Sequence, residues 1–62
     1  MKEVFIYKKN DQNLIDWGVY SSSIKEAAFW FSKKEVKNNF FDNGEPFNAK
    51  NIIKANITLT EV

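Results

Sequence analysis

Val4-Phe5-Ile6-Tyr7 is an unbroken apolar run bounded by Lys and Asn, a pattern that predicts a short strand contacting other chain on both faces and lying centrally in its sheet. Asn10-Asp11-Gln12-Asn13 is turn chemistry. Leu14 to Tyr20 then reads as a second strand, with Ile15, Trp17 and Val19 on one face, and the two strands form an antiparallel hairpin. Gly18 is the weak point of that strand and marks a bulge or a place where a side chain lies over the backbone. Near the end of the chain, Ile52 to Val62 alternates: Ile53, Ala55, Ile57 and Leu59 face one way, Lys54, Asn56, Thr58 and Thr60 the other, as in a half-buried strand.

Between the hairpin and the last strand the period changes. Ser23, followed three residues later by Glu26, is a capping-box pattern, so the helix is expected to start at Ile24. Ile24, Ala28, Phe31 and Glu35 share one stripe, and the helix frays near Lys37-Asn38-Asn39, where lysine suits its negative end. Phe29-Trp30-Phe31 falls inside this helix. At ~100° per residue three consecutive rings fan over roughly 200°, more than one underlying sheet covers. At least one must face outward, and Trp30, roughly 100° beyond Phe29, is the leading candidate.

Phe40 to Asn51 is irregular. Asn43-Gly44 reads as a tight turn that brings Phe40 or Phe41 back toward Phe47, either as a flap over the core edge or as a mobile contact loop. A right-handed crossover through the helix sets the last strand parallel to the second. The fold class is therefore α+β: a single domain over residues 1–62, with ββαβ topology, a three-stranded antiparallel sheet of order 2-1-3, and one helix on one face. Val4, Ile6, Ile15, Trp17, Val19, Ile53, Ala55, Ile57 and Leu59 are expected beneath Ile24, Ala28 and Phe31. Phe5, Tyr7, Leu14 and Tyr20 are then left on the uncovered face, beside Asp16, Lys54, Asn56 and Thr58. That face is more aromatic than solvent requires.

Composition narrows the function. At 62 residues the chain is near the lower limit for unaided folding, and without cysteine or histidine neither disulfides nor the usual zinc ligands staple it. The absence of His, Cys and Arg removes the usual general base, thiolate nucleophile and phosphate fork, so no enzymatic activity and no cofactor are expected. Asp42 and Glu45 fit no calcium-loop spacing, and two glycines make no phosphate loop. Asn56-Ile57-Thr58 matches the glycosylation triplet, discounted because no secretory signal is read. No apolar segment approaches the ~20 residues that span a bilayer, and the expectation is a soluble cytoplasmic protein. Lys, Asn, Ile and Phe, all with A/T-rich codons, dominate the composition.

Two functions are weighed, and a small-molecule site under the Phe40 to Phe47 flap stays among the unassigned readings. The first is a non-catalytic protein-binding module, acting on another protein or as a homodimer, with Trp30, Phe5, Tyr7, Tyr20, Phe41 and Phe47 as the partner-binding residues. The second is nucleic-acid binding, with Phe5, Tyr7 and Tyr20 stacking on bases and Lys2, Lys8, Lys9 and Lys54 on phosphates. The net charge of +1 weighs against it. Gly18-Val19-Tyr20-Ser21-Ser22, followed by Lys25-Glu26-Ala27, resembles a pattern in small uncharacterised ββαβ proteins of bacteria and their phages. That resemblance implies the same fold and, with the small size and A/T-biased composition, a phage or mobile-element accessory protein that modulates a host protein. A looser likeness to the three-stranded DNA-binding arm domains of phage integrases stops at topology.

Overall fold

The computed structural model describes residues 2–58. One α-helix, α1 (Lys33–Asp42), packs on an antiparallel sheet of four strands: β1 (Lys2–Lys9), β2 (Gln12–Asp16), β3 (Val19–Ser21) and β4 (Ile52–Ile57). The spatial order is β3-β2-β1-β4. The class is α+β, and β2, β1 and β4 keep the expected central position of the first strand. The sheet has four strands rather than three because the stretch read as one strand, Leu14 to Tyr20, breaks at Trp17-Gly18. There Gly18 takes a left-handed φ of 75°, the Asp16 carboxylate accepts the Trp17 N–H at 2.8 Å, and the chain folds back into β3. A register shift between Leu14 and Asp16 makes Ile15 a bulge residue.

The β1–β2 turn is tighter than its composition indicates. Asn10 and Asp11 both adopt left-handed backbone, with φ of 52° and 62°, so Gln12 already pairs with Lys9. This is the type I′ geometry whose twist matches the flanking strands, and Asn and Asp tolerate it best after Gly. β4 pairs with β1 from Lys2↔Ile57 to Tyr7↔Ile52. Leu59 and Thr60, expected to extend this strand, lie outside the described residues.

The helix is displaced along the chain. Ile24–Glu26 is a single 3₁₀ turn, and Ser23 makes no side-chain cap. The true capping box lies nine residues on: Ser32 Oγ accepts the Glu35 N–H at 3.2 Å, and Glu35 Oε2 accepts the Phe31 N–H at 3.0 Å. Asn43-Gly44 is not a hairpin turn but the end of α1. Gly44 (φ 66°) donates to the Phe41 carbonyl and Glu45 donates to the Phe40 carbonyl, the paired bonds of a Schellman cap. Phe40 is therefore a helical core residue, not part of a flap.

Val36 and Phe40, one helical turn apart, face the sheet and are fully buried with Tyr7 and Leu14. Phe40 is the hub of the ring packing: its centroid lies 4.3 Å from Tyr7, 5.0 Å from Trp17, 5.3 Å from Phe47 and 6.4 Å from Trp30. Phe5, Tyr20 and Ile52 pack around the same cluster. The covered face of the sheet is thus the one carrying Phe5, Tyr7, Leu14 and Tyr20, the reverse of the expected assignment except at Trp17, which packs against the helix as expected. An aromatic face needs a covering layer, and α1 supplies it; the aliphatic face is left without a helix. Among the described residues no helix is long and apolar enough to cross a membrane.

Candidate functional site

The segment after the 3₁₀ turn is extended, and it inserts where β1 and β2 part. β1 and β2 pair only near their hairpin, at Lys8↔Asn13 and Lys9↔Gln12. Farther along, Ala28 N–H donates to the Leu14 carbonyl at 2.9 Å, and Trp30 forms an antiparallel bridge with Phe5. Side chains alternate along an extended segment. Trp30 therefore shares the face of Phe5 and packs half-buried against Trp17 and Phe40, while Phe29 and Phe31 emerge on the opposite face. Two rings of the triplet do face away from the core, but they are Phe29 and Phe31, not Trp30.

Phe29 and Phe31 are 44% and 53% exposed, and their rings meet edge to face at 5.8 Å. By the same alternation this face of β1 carries Lys2, Val4, Ile6 and Lys8, paired on β4 with Ile57, Ala55 and Ile53. The Lys2 ammonium sits 5.6 Å above the Phe31 ring, which confirms that the two share a side. Val4 and Ile6 are buried between these neighbours, whereas Ile53 is 43% exposed. The result is an apolar band with a lysine at either end, on the face opposite α1. The free edge of β4 adjoins it.

The other expected contact residues disperse. Tyr7 is buried; Phe5, Tyr20 and Phe47 are half-buried around the core, on the α1 side. Phe41, the most exposed large apolar side chain among the described residues, lies on the outer surface of α1 and shares a shallow concavity with Phe47, Lys37, Asn38 and Glu45, so of the expected contact residues Phe41 and Phe47 come together there. With Tyr7 buried and Phe5 and Tyr20 partly so, the aromatic face is not an open stacking platform for bases. A helical triplet would hide Phe29 and Phe31; the alternation of an extended segment is what brings both to one face. Ser32-Lys33-Lys34-Glu35, a capping box as good as the one at Ser23, is the signal that moves the helix past them.

A second concavity lies on the α1 side, a half-open cleft of about 490 Å³ between β3 and the segment after α1. Tyr7 forms its floor. The Tyr7 hydroxyl accepts the Asn48 N–H at 3.0 Å and the Asn51 side-chain amide at 3.2 Å. Tyr20, Glu45 and Phe47 form its walls, with Lys9 at its rim. Burial, reinforced by the neighbouring Tyr7 hydroxyl and Glu45 carboxylate, raises the Tyr20 phenol above its ordinary 10.0, so it is a hydrogen-bond donor at neutral pH. Comparison of the chain with protein-family models, curated proteins and solved structures finds no match.

Proposed function

We propose that this chain is a non-catalytic protein-binding domain that docks through the helix-free face of its sheet. The observation that carries this reading is that Phe29 and Phe31, in ring contact, and Ile53, placed on the same face by strand alternation, are each exposed. Contiguous exposed apolar surface marks an interaction site more often than scattered single residues do. Its only charges on β1 are Lys2 and Lys8, at the two ends, so the complementary surface is apolar at its centre and acidic at its rim. Stacking two copies face to face sets lysine against lysine, which favours a foreign partner over a homodimer. The free edge of β4 extends the interaction by strand addition. A role as an accessory protein of a phage or mobile element is compatible with this proposal and rests only on size, composition and the serine-rich strand-end pattern.

The test begins with mass in solution over a range of concentrations, followed by affinity capture with the native chain and with a Phe29→Ser/Phe31→Ser variant. The captured partner is purified and titrated against both at two salt concentrations. The expected result is a monomer whose binding is lost in the variant and weakened by salt. A dimer dissociated by the same substitutions assigns the face to self-association. Saturable, salt-sensitive binding of single-stranded oligonucleotides, lost in the same variant, would return the nucleic-acid reading with Phe29 and Phe31 as its stacking residues.

A further inference from the structure

The cleft over Tyr7 lies on the side of the sheet opposite the docking band and does not depend on it. At about 490 Å³ it has the size of a small-molecule site. Its polar groups are arranged unequally. A phenol oxygen accepts at most two hydrogen bonds and donates one. At Tyr7 both acceptor positions are taken, by Asn48 and Asn51, so the proton is the one function the hydroxyl has left to offer. Tyr20 stays protonated and likewise offers an O–H, and Lys9 brings an ammonium to the rim. These three are donors. In the same lining Glu45 contributes a carboxylate, close enough to Tyr20 to act on its phenol. Phe47 and Pro46 line the wall with apolar surface.

A simple anion would satisfy the donors but meet the Glu45 charge, and a simple cation would satisfy Glu45 but meet Lys9 and two O–H groups. A molecule carrying both charges satisfies all of them. We infer that this cleft binds a small zwitterion, with its carboxylate toward Lys9 and the Tyr7 hydroxyl, its ammonium at Glu45, and an apolar side group against Phe47. A free amino acid and a short peptide share this chemistry.

The experiment is an amide-shift NMR titration of the isotope-labelled full chain with glycyl-phenylalanine, with its N-acetylated and C-amidated forms, and with free phenylalanine. The expected result is saturable shifts at Phe47, Asn48 and Asn51, with affinity falling about tenfold when either terminus of the dipeptide is blocked. Glu45→Gln should weaken binding of the dipeptide but leave the N-acetylated form unchanged, and Lys9→Gln should do the same for the C-amidated form. Both side chains reach solvent, so neither substitution threatens the fold. Binding of free phenylalanine as tightly as the dipeptide identifies an amino-acid site; binding of the dipeptide alone identifies a peptide site. No saturable shift at these amides, or blocked forms that bind as well as the parent, overturns the proposal.

Discussion

Phe5 and Trp30 exchange two backbone hydrogen bonds, 2.7 Å and 2.8 Å long, and this single bridge decides the direction of every ring in the aromatic triplet. Because Phe5 faces α1, Trp30 must also face α1, and Phe29 and Phe31 must point away. The consequence is energetic as well as geometric. Truncation of Trp30 to Ala removes packing against Trp17 and Phe40 and should cost about 2–4 kcal/mol, less than for a fully enclosed tryptophan. Phe29→Ser and Phe31→Ser should each change stability by only about 0.5–1 kcal/mol. Urea denaturation of the three variants checks the contrast, and equal losses at all three positions would contradict the assigned directions.

Two serines with the same local pattern should behave differently. Ser32→Ala removes the side-chain acceptor for the Glu35 N–H and should destabilise the domain by about 1 kcal/mol. Ser23→Ala, at a position that makes no cap, should change it by less than about 0.5 kcal/mol. Thermal midpoints of the pair suffice to tell.

Gly44→Ala should cost about 1–2 kcal/mol although no heavy atom of the described residues beyond its own chain neighbours lies within 4 Å of the added methyl group. The penalty arises from the left-handed backbone that the Schellman cap requires, not from crowding. Gly44→Asn, which tolerates that conformation better, should recover part of the loss. Chemical denaturation of both variants is the measurement.

Asn13 is only 3% exposed, and its side-chain oxygen has no hydrogen-bond partner among the described residues. An unpaired buried acceptor is costly, and a β-branched residue suits a strand. Asn13→Val should therefore stabilise the protein by about 1 kcal/mol, seen as a rise of roughly 4–8 °C in thermal midpoint for a domain of this size. A fall would show that the amide contributes more than its unpaired oxygen costs.

Tyr20 links stability to alkaline pH. Its folded pKa is raised, so the folded state holds the phenol proton more tightly than the unfolded chain does. The resulting stabilisation is complete below the unfolded value of 10.0 and is lost as pH rises through the higher folded value. Denaturation measured on either side of pH 10.0 should show a decline that Tyr20→Phe reduces, and absorbance titration should show a late-ionising phenol that the same substitution removes.

One local motif occurs twice in the chain, and the position of the helix turns on which copy caps it. Ser23-x-x-Glu26 and Ser32-x-x-Glu35 are equivalent as strings. Only the second precedes residues, Val36 and Phe40, whose spacing buries one face of a helix against Tyr7 and Leu14. A helix begun at the first carries the aromatic triplet, and every expected direction of its rings follows from that. Asn43-Gly44 misled in the same way, since left-handed glycine serves hairpin turns and helix ends alike.

What local sequence determined by itself was whatever depends on nearest neighbours. The Asn10-Asp11 reversal, the apolar first strand and the alternation from Ile52 to Ile57 are set by backbone preference and by a period of two, and all are present in the fold. Tertiary structure decided which face of that alternation is buried. Alternation defines two faces but does not rank them when both are apolar. Here the ranking came from volume: the rings of Phe5, Tyr7 and Tyr20 present more surface to α1 than Val4 and Ile6 could, so the helix settled on the aromatic side and the aliphatic side, with Val4 and Ile6 still buried, was left without a helix.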